Sequence, residues 1–328
     1  MINIENFLNK YYWSNEKIVL ACSTWPDSMF LLYEILETKY AKNLVVCYFN
    51  HKLRPEADLE EKFIEDLWKQ KWFKVEIAEC RIKEIKEKFY PKKWLEEVAR
   101  EKRYAFFNAI LNIYNADKII TWHHLDDKIE TFFFNLARWS KLTWLINMTE
   151  HSGQILRPLL SLEKKEIMNY LDNNKLEYRI DKSNFNTEIT RNKLRHDIIP
   201  EFENINANYK KNIKNLLSYL EEVKDNIDSQ IEYFLKEQWI KIFNNWKYKI
   251  NTLKINGYFY ITDFNSLTSL IQKETIRHIF HNSNWGSTIW LSEANITEII
   301  RFINWKNNKT KKEIKWLKMR KENKIIIF

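Results

Sequence analysis

Short apolar runs alternate with stretches of three- to four-residue apolar periodicity through the first half of the chain, the pattern expected where strands and amphipathic helices take turns. Lys17 to Cys22 reads as a strand and Ser28 to about Lys39 as a helix. Leu44 to Phe49 and Asp58 to Lys69 repeat the pair, and Lys74 to Ala78 adds a third strand. Trp94 to Tyr114 then reads as a long helix, Lys118 to Thr121 as a fourth strand, and a helix starts again at Asp126. Such βαβ alternation predicts a parallel sheet covered on both faces. Ligands of these sheets bind beyond the carboxyl ends of the strands, which makes Ser23 to Ser28, Asn50 to Arg54 and Trp122 to Asp127 expected neighbours in space.

The alternation stops after Pro158. Leu162 to Leu171 opens a mainly helical region containing a polar loop, Asp181 to Arg195. Ile213, Leu216, Leu220, Val223, Ile227, Ile231 and Phe234 then keep helical spacing along one long, one-sided helix. A strand-like stretch (Leu253 to Ile261), a helix (Leu267 to Phe280) and a terminal strand (Lys324 to Phe328) complete a small α+β region. We expect two domains, residues 1–205 and 206–328.

Charge and composition narrow the class. The 328 residues carry a formal net charge of +9, with nine Lys or Arg against two Glu from Lys306 onward. A positive surface suits a polyanionic partner such as nucleic acid, although a plain solvated face reads the same way. Cys22, Cys47 and Cys80 form no CxxC pair, so neither a disulfide framework nor a zinc site is suggested, and a reducing cytoplasm fits best. No apolar run is long enough to span a bilayer.

The chemistry sits at the strand ends. Lys17 to Cys22 leads into Ser23, Thr24, Trp25, Pro26, Asp27 and Ser28 and then into a helix, which sets backbone N–H groups and small hydroxyls where an anionic phosphate is stabilised. Asp27 is suited to hold Mg²⁺, and the competing reading is an ordinary capped turn. Asp127 and Glu130, three apart at a helix start, share one face and form a paired-carboxylate site for an ammonium group or Mg²⁺. His123 is a candidate for phosphate contact or proton relay, while His124 reads as structural. Arg103, more than Arg100, offers a guanidinium fork. Lys52, Arg54, Arg138, Arg191, Asn192 and Arg195 are suited to phosphates and base edges.

Six ordered segments carry a resemblance: the Ser23 to Ser28 loop, HKLRPEADLEE (51 to 61), EEVAREKRYAFF (96 to 107), HHLDDKIETFFFNLARWS (123 to 140), RPLL (157 to 160) and DKSNFNTEITRNKLRHDIIP (181 to 200). Together they resemble the tRNA(Ile)-lysidine synthases among the N-type (PP-loop) ATP pyrophosphatases. The resemblance implies a five-stranded, Rossmann-like sheet of the adenine nucleotide alpha hydrolase type, with a helical extension and a C-terminal tRNA-binding domain. It also implies the reaction. ATP adenylates the first anticodon cytidine of tRNA(Ile) bearing CAU, and L-lysine then displaces AMP to leave lysidine. Asp27, Arg103, His123, Asp127 and Glu130 are the catalytic candidates so implied, ATP and Mg²⁺ the ligands, and a homodimer is compatible with it. A degenerate tRNA binder and a thiolating relative stay open as alternatives.

One departure is conspicuous. Average usage would give roughly 23 glycines in this length, yet there are three, beside fourteen tryptophans. Trp25, Trp122, Trp139 and Trp144 stand where the family carries glycine, as does Thr24. A phosphate-cradling loop needs positive φ and close backbone approach, which an indole opposes. We read these tryptophans as UGA codons that the source organism translates as glycine.

Overall fold

The computed structural model describes residues 3–13, 15–54, 56–71, 73–138, 142–146, 148–180, 193–244, 258–283, 291–307, 310–315 and 317–328. Its contacts divide into two units, Met1–Ser218 and Tyr219–Phe328.

The first unit is built on a six-stranded sheet. Helix α1 (Ile4–Tyr11) precedes β1 (Ile18–Cys22), every residue of which is buried, as a central strand covered on both faces demands. Helix α2 (Pro26–Leu36) starts with Pro26, whose fixed φ and missing N–H suit a first turn. Then come β2 (Leu44–Asn50), α3 (Glu56–Lys71), β3 (Lys74–Glu79), α4 (Ile82–Phe89) and α5 (Leu95–Tyr114). Helix α5 stops at Asn115, which takes the left-handed conformation at φ +49° and closes the helix end. Strand β4 (Ile119–Ile120), α6 (Leu125–Arg138) and α7 (Leu142–Leu145) follow. A hairpin of β5 (His151–Ser152) and β6 (Ile155–Leu156) turns through Gly153 at φ +58°, and α8 (Lys164–Asn173) packs against α2.

Strand order is β3-β2-β1-β4-β6-β5, with five strands parallel and β5 antiparallel to β6. Four of the five parallel strands are those read from the sequence; β6 and the antiparallel edge strand β5 were not placed there. Because β2 and β4 flank β1 on opposite sides, the chain reverses direction of travel across the sheet between β1 and β4. That switch point opens a crevice at their carboxyl ends.

Beyond a turn of π-helix (Leu194–Ile198) lie α9 (Ile199–Ile205) and the long α10 (Tyr209–Asn244). Arg195 therefore sits in a helical turn and not in a polar loop, while 181–192, with Arg191 and Asn192, lie outside the described residues.

The second unit is an antiparallel sheet, β7-β10-β9-β8, formed by β7 (Tyr258–Tyr260), β8 (Thr310–Ile314), β9 (Leu317–Glu322) and β10 (Ile325–Ile327). The expected helix from Leu267 to Phe280 is α12 (Ser269–Ser283), preceded by a short helix, α11 (Ile261–Ser266), and extended backbone at Leu267. Helix α13 (Glu293–Asn304), capped by Ser292, joins them over a core of Phe259, Phe264, Phe280 and Ile296. In β9, Leu317, Met319 and Lys321 are buried while Lys318 and Arg320 face out, so the basic C-terminal stretch is an ordinary period-two strand. Lys321 donates to the carbonyl of Ile303 at 2.9 Å, satisfying a helix-end acceptor.

Candidate active site

The segments after β1 and β4 meet at the switch point. In the first, Ser23 to Ser28 form a tight, self-bonded loop. The Ser23 N–H donates to Ser28 Oγ at 3.1 Å, Ser28 Oγ donates to the Trp25 carbonyl at 3.0 Å, and the two serine hydroxyls lie 3.2 Å apart. Thr24 is fully buried at φ +63°, a region that a β-branched residue enters only under strain. Trp25 occupies the N-cap of α2 without a side-chain capping bond, its buried indole N–H has no acceptor among the described residues, and the Arg54 guanidinium stacks 5.6 Å over its ring.

Asp27, in the first turn of α2, is 8% exposed and accepts the Lys164 ammonium on both carboxylate oxygens, each at 2.6 Å. Lys164 opens α8 and stands 137 residues away in sequence. Its own N–H donates to Asp126 Oδ2 at 2.7 Å, and Asp126 Oδ1 accepts Lys210 Nζ at 2.6 Å.

His124 is the hub of this cluster. Its backbone N–H donates to Asp127 Oδ2 at 3.0 Å, and its ring lies 3.4 Å from Asp127, 3.5 Å from Asp126 and 3.8 Å from Asp27. Burial alone would make its imidazolium less favourable, but the three carboxylates, Asp127 foremost, hold its pKa above the usual histidine value. His124 thus lies inside the carboxylate cluster.

His123, the histidine expected to act, has the opposite setting. Its Nδ1 lies 3.1 Å from Thr121 Oγ1 and its ring runs parallel to that of Trp122. Burial lowers its pKa to about 4, so it is neutral near pH 7.

Asp127 and Glu130 do share one face of α6, and Arg195 bridges them. Its Nε and a terminal nitrogen meet Glu130 at 2.5 and 3.0 Å, and a terminal nitrogen reaches Asp127 at 3.4 Å. Glu130 is 5% exposed; burial raises its pKa despite the guanidinium. Asp127 is held below the usual carboxylate range because His124, His123 and Arg195 outweigh its burial.

The remaining candidates are placed less centrally. Arg103 is half-buried, 5.9 Å over the Trp122 ring, whereas Arg100 is exposed and stacks on Tyr104 at 4.9 Å. Lys52, at φ +48°, is tied to Asp58 at 2.6 Å and Glu79 at 2.9 Å. Arg54 pairs with Glu60 at 3.1 Å. Arg138 lies on the exposed end of α6 over Phe134. Sequence reasoning missed Lys164 and Lys210. The signal available for them was a lysine at the start of each helix that follows RPLL and HDIIP.

Among the described residues no helix is long and apolar enough to cross a membrane, and no group of three or more His, Cys, Asp or Glu is arranged to hold a metal ion. The PP-loop domain family matches residues 1–202. The tRNA(Ile)-lysidine synthase of Thermosipho africanus is 32% identical over 80% of this chain and 58% of that protein. The tRNA(Ile)-lysidine synthase of Petrotoga mobilis is 33% identical over 68% of this chain and 72% of that one. The chain thus spans little more than half of the first of these relatives. Among solved structures, the U34-tRNA thiolase NcsA of Methanococcus maripaludis shares the fold at a TM-score of 0.53 and 16% identity, over 63% of this chain and 72% of that one.

Proposed function

Because the chain belongs to the tRNA(Ile)-lysidine synthase family of PP-loop proteins, we propose that it adenylates the first anticodon cytidine of tRNA(Ile) with ATP and then joins L-lysine to that base. The observation that carries this reading is the convergence of Asp27, His124, Asp126, Asp127, Glu130 and Arg195 on the crevice beside the β1 loop. Charged groups gathered at a switch point suit a reaction in which a polyanion is bound and an amine attacks.

Ser23, Asp27 and Ser28 are the loop residues for the ATP phosphates, with the first amides of α2. Asp27 is the loop carboxylate suited to Mg²⁺, because that ion is commonly held by a carboxylate together with substrate phosphates. When bound, such an ion would neutralise charge on the departing pyrophosphate. Trp25 does not fit this ligand. Its side chain stands at the N-cap of α2, where phosphate oxygens would need close approach to the backbone, which supports our reading of residue 25 as glycine in the living cell.

Asp127 and Glu130 are the carboxylates for the lysine ammonium, and Arg195 occupies them with a charge of the same sign. Admission of lysine therefore requires Arg195 to turn away or to share the pair. Neutral near pH 7 with its pKa lowered to about 4, His123 is a weak base, better suited to a hydrogen bond with a phosphate oxygen than to taking a proton from the amine. The long α10 and the basic strands of the second unit are suited to the tRNA, whose phosphates attract Lys318 and Arg320.

Pyrophosphate exchange tests the first step. Labelled pyrophosphate should enter ATP only when a tRNA(Ile) transcript with a CAU anticodon is added. Exchange without tRNA, or none with it, would contradict adenylation of the base. A binder that has lost catalysis would retain tRNA affinity and show no exchange.

A further inference from the structure

Lys164 has a position at the centre of the crevice and no part in the chemistry above. Its ammonium has three N–H donors, of which Asp27 takes two at 2.6 Å each. The side chain is 37% exposed while that of Asp27, its partner, is 12% exposed, so Lys164 is open to solvent where Asp27 is nearly closed off from it. The residue is also held in place from behind. Its backbone N–H is bonded to Asp126, and the start of α8 is fixed by the reciprocal bonds of Glu163 and Glu166.

We propose that Lys164 is a phosphate-binding residue of this site, supplying a positive charge to the triphosphate of the nucleotide at the same end of α2 as the loop amides. The proposal rests on the ATP reading above. Its force comes from what the loop lacks. Ser23 and Ser28 direct their hydroxyls to each other and to the loop backbone, and Arg54 is engaged by Glu60 and the Trp25 ring. The α2 amides provide only partial charge. Lys164 provides a full one, already desolvated on one side and held within reach of the phosphates by Asp27. A lysine acting as a point charge on phosphate oxygens is a recurring solution where a loop cradles a triphosphate. Asp27 then serves both Lys164 and a divalent cation, which places positive charge on either side of one carboxylate.

The test compares ATP with adenosine as probes, by calorimetric titration of the full chain, carrying glycine at position 25 in wild type and variant alike, without tRNA. Loss of one charge-assisted contact corresponds to about a 10- to 100-fold weakening. Lys164→Met should weaken ATP by that factor and leave adenosine within about twofold. If the Met variant does not fold, as thermal melting will show, Lys164→Gln carries the same comparison, since its amide can still donate to Asp27. Equal weakening of ATP and adenosine would mean that Lys164 only shapes the site, and would overturn the proposal. Unchanged or tighter ATP binding would overturn it too, by showing that the ammonium merely neutralises Asp27. Wild-type protein that binds adenosine but not ATP would overturn the nucleotide reading itself, and this proposal with it.

Discussion

Replacing Arg195 by Met tests the paired carboxylates at their most exposed electrostatic joint. Arg195 bridges Glu130 and Asp127, which lie on α6 with little access to water. Breaking a buried ion pair from one side costs about 3–5 kcal/mol because the partner charge is left uncompensated. Arg195 is itself 37% exposed, so solvent screens part of that loss, and about 2–3 kcal/mol is the expected destabilisation. Each kcal/mol shifts the midpoint by roughly 2–4 °C in a unit of this size. Calorimetric melting should therefore place Arg195→Met about 5–10 °C below wild type. Glu130→Gln should remove most of that penalty in the double variant, with a coupling of about 1–2 kcal/mol. A loss under about 0.5 kcal/mol with no coupling would refute the reasoning, because it would mean that the three groups do not meet in solution.

Two further outcomes follow from the same cluster. His123, whose native pKa falls to about 4 from an ordinary 6.5, is neutral in the folded state, so its contribution is present above pH 6.5 and is lost as pH falls toward 4. His123→Gln should flatten the acid limb of the stability curve over that window by up to about 3 kcal/mol, read by urea unfolding at successive pH values, and an unaltered limb would show that another group sets it. Trp25→Gly should strengthen ATP binding at least about tenfold, since the glycine admits phosphate to the α2 backbone, and mass spectrometry of protein from its native cell should find glycine at position 25. Tryptophan there would sink the reassignment.

Much of the site was legible because its chemistry lies at strand ends, and strand ends are readable from apolar runs. Ile18 to Cys22 and Leu44 to Asn50 announce themselves by burial on both faces, and the loops that follow are fixed by topology. Asp127 and Glu130 were paired by helical spacing alone. What spacing cannot supply is the partner from another element. Lys164 meets Asp27 and Lys210 meets Asp126 only because α8 and α10 pack against the sheet, across 137 and 84 residues of sequence. The two histidines show the same limit. Both precede the acidic turn of α6, and their roles divide because one ring turns toward Thr121 and Trp122 while the other turns into three carboxylates. Strands β5 and β6, two residues each, are too short to carry a periodicity, so the edge of the sheet had no signal.

Transfer of labelled lysine to tRNA is the most direct test of the central claim. The full chain, with residue 25 as its cell makes it, is incubated with ATP, Mg²⁺, labelled L-lysine and a tRNA(Ile) transcript bearing CAU. Label should enter the RNA at the first anticodon position, and should be absent when ATP is omitted or when Asp127 is changed to Asn. RNA that stays unlabelled, from a protein that binds both ATP and the tRNA, would contradict it.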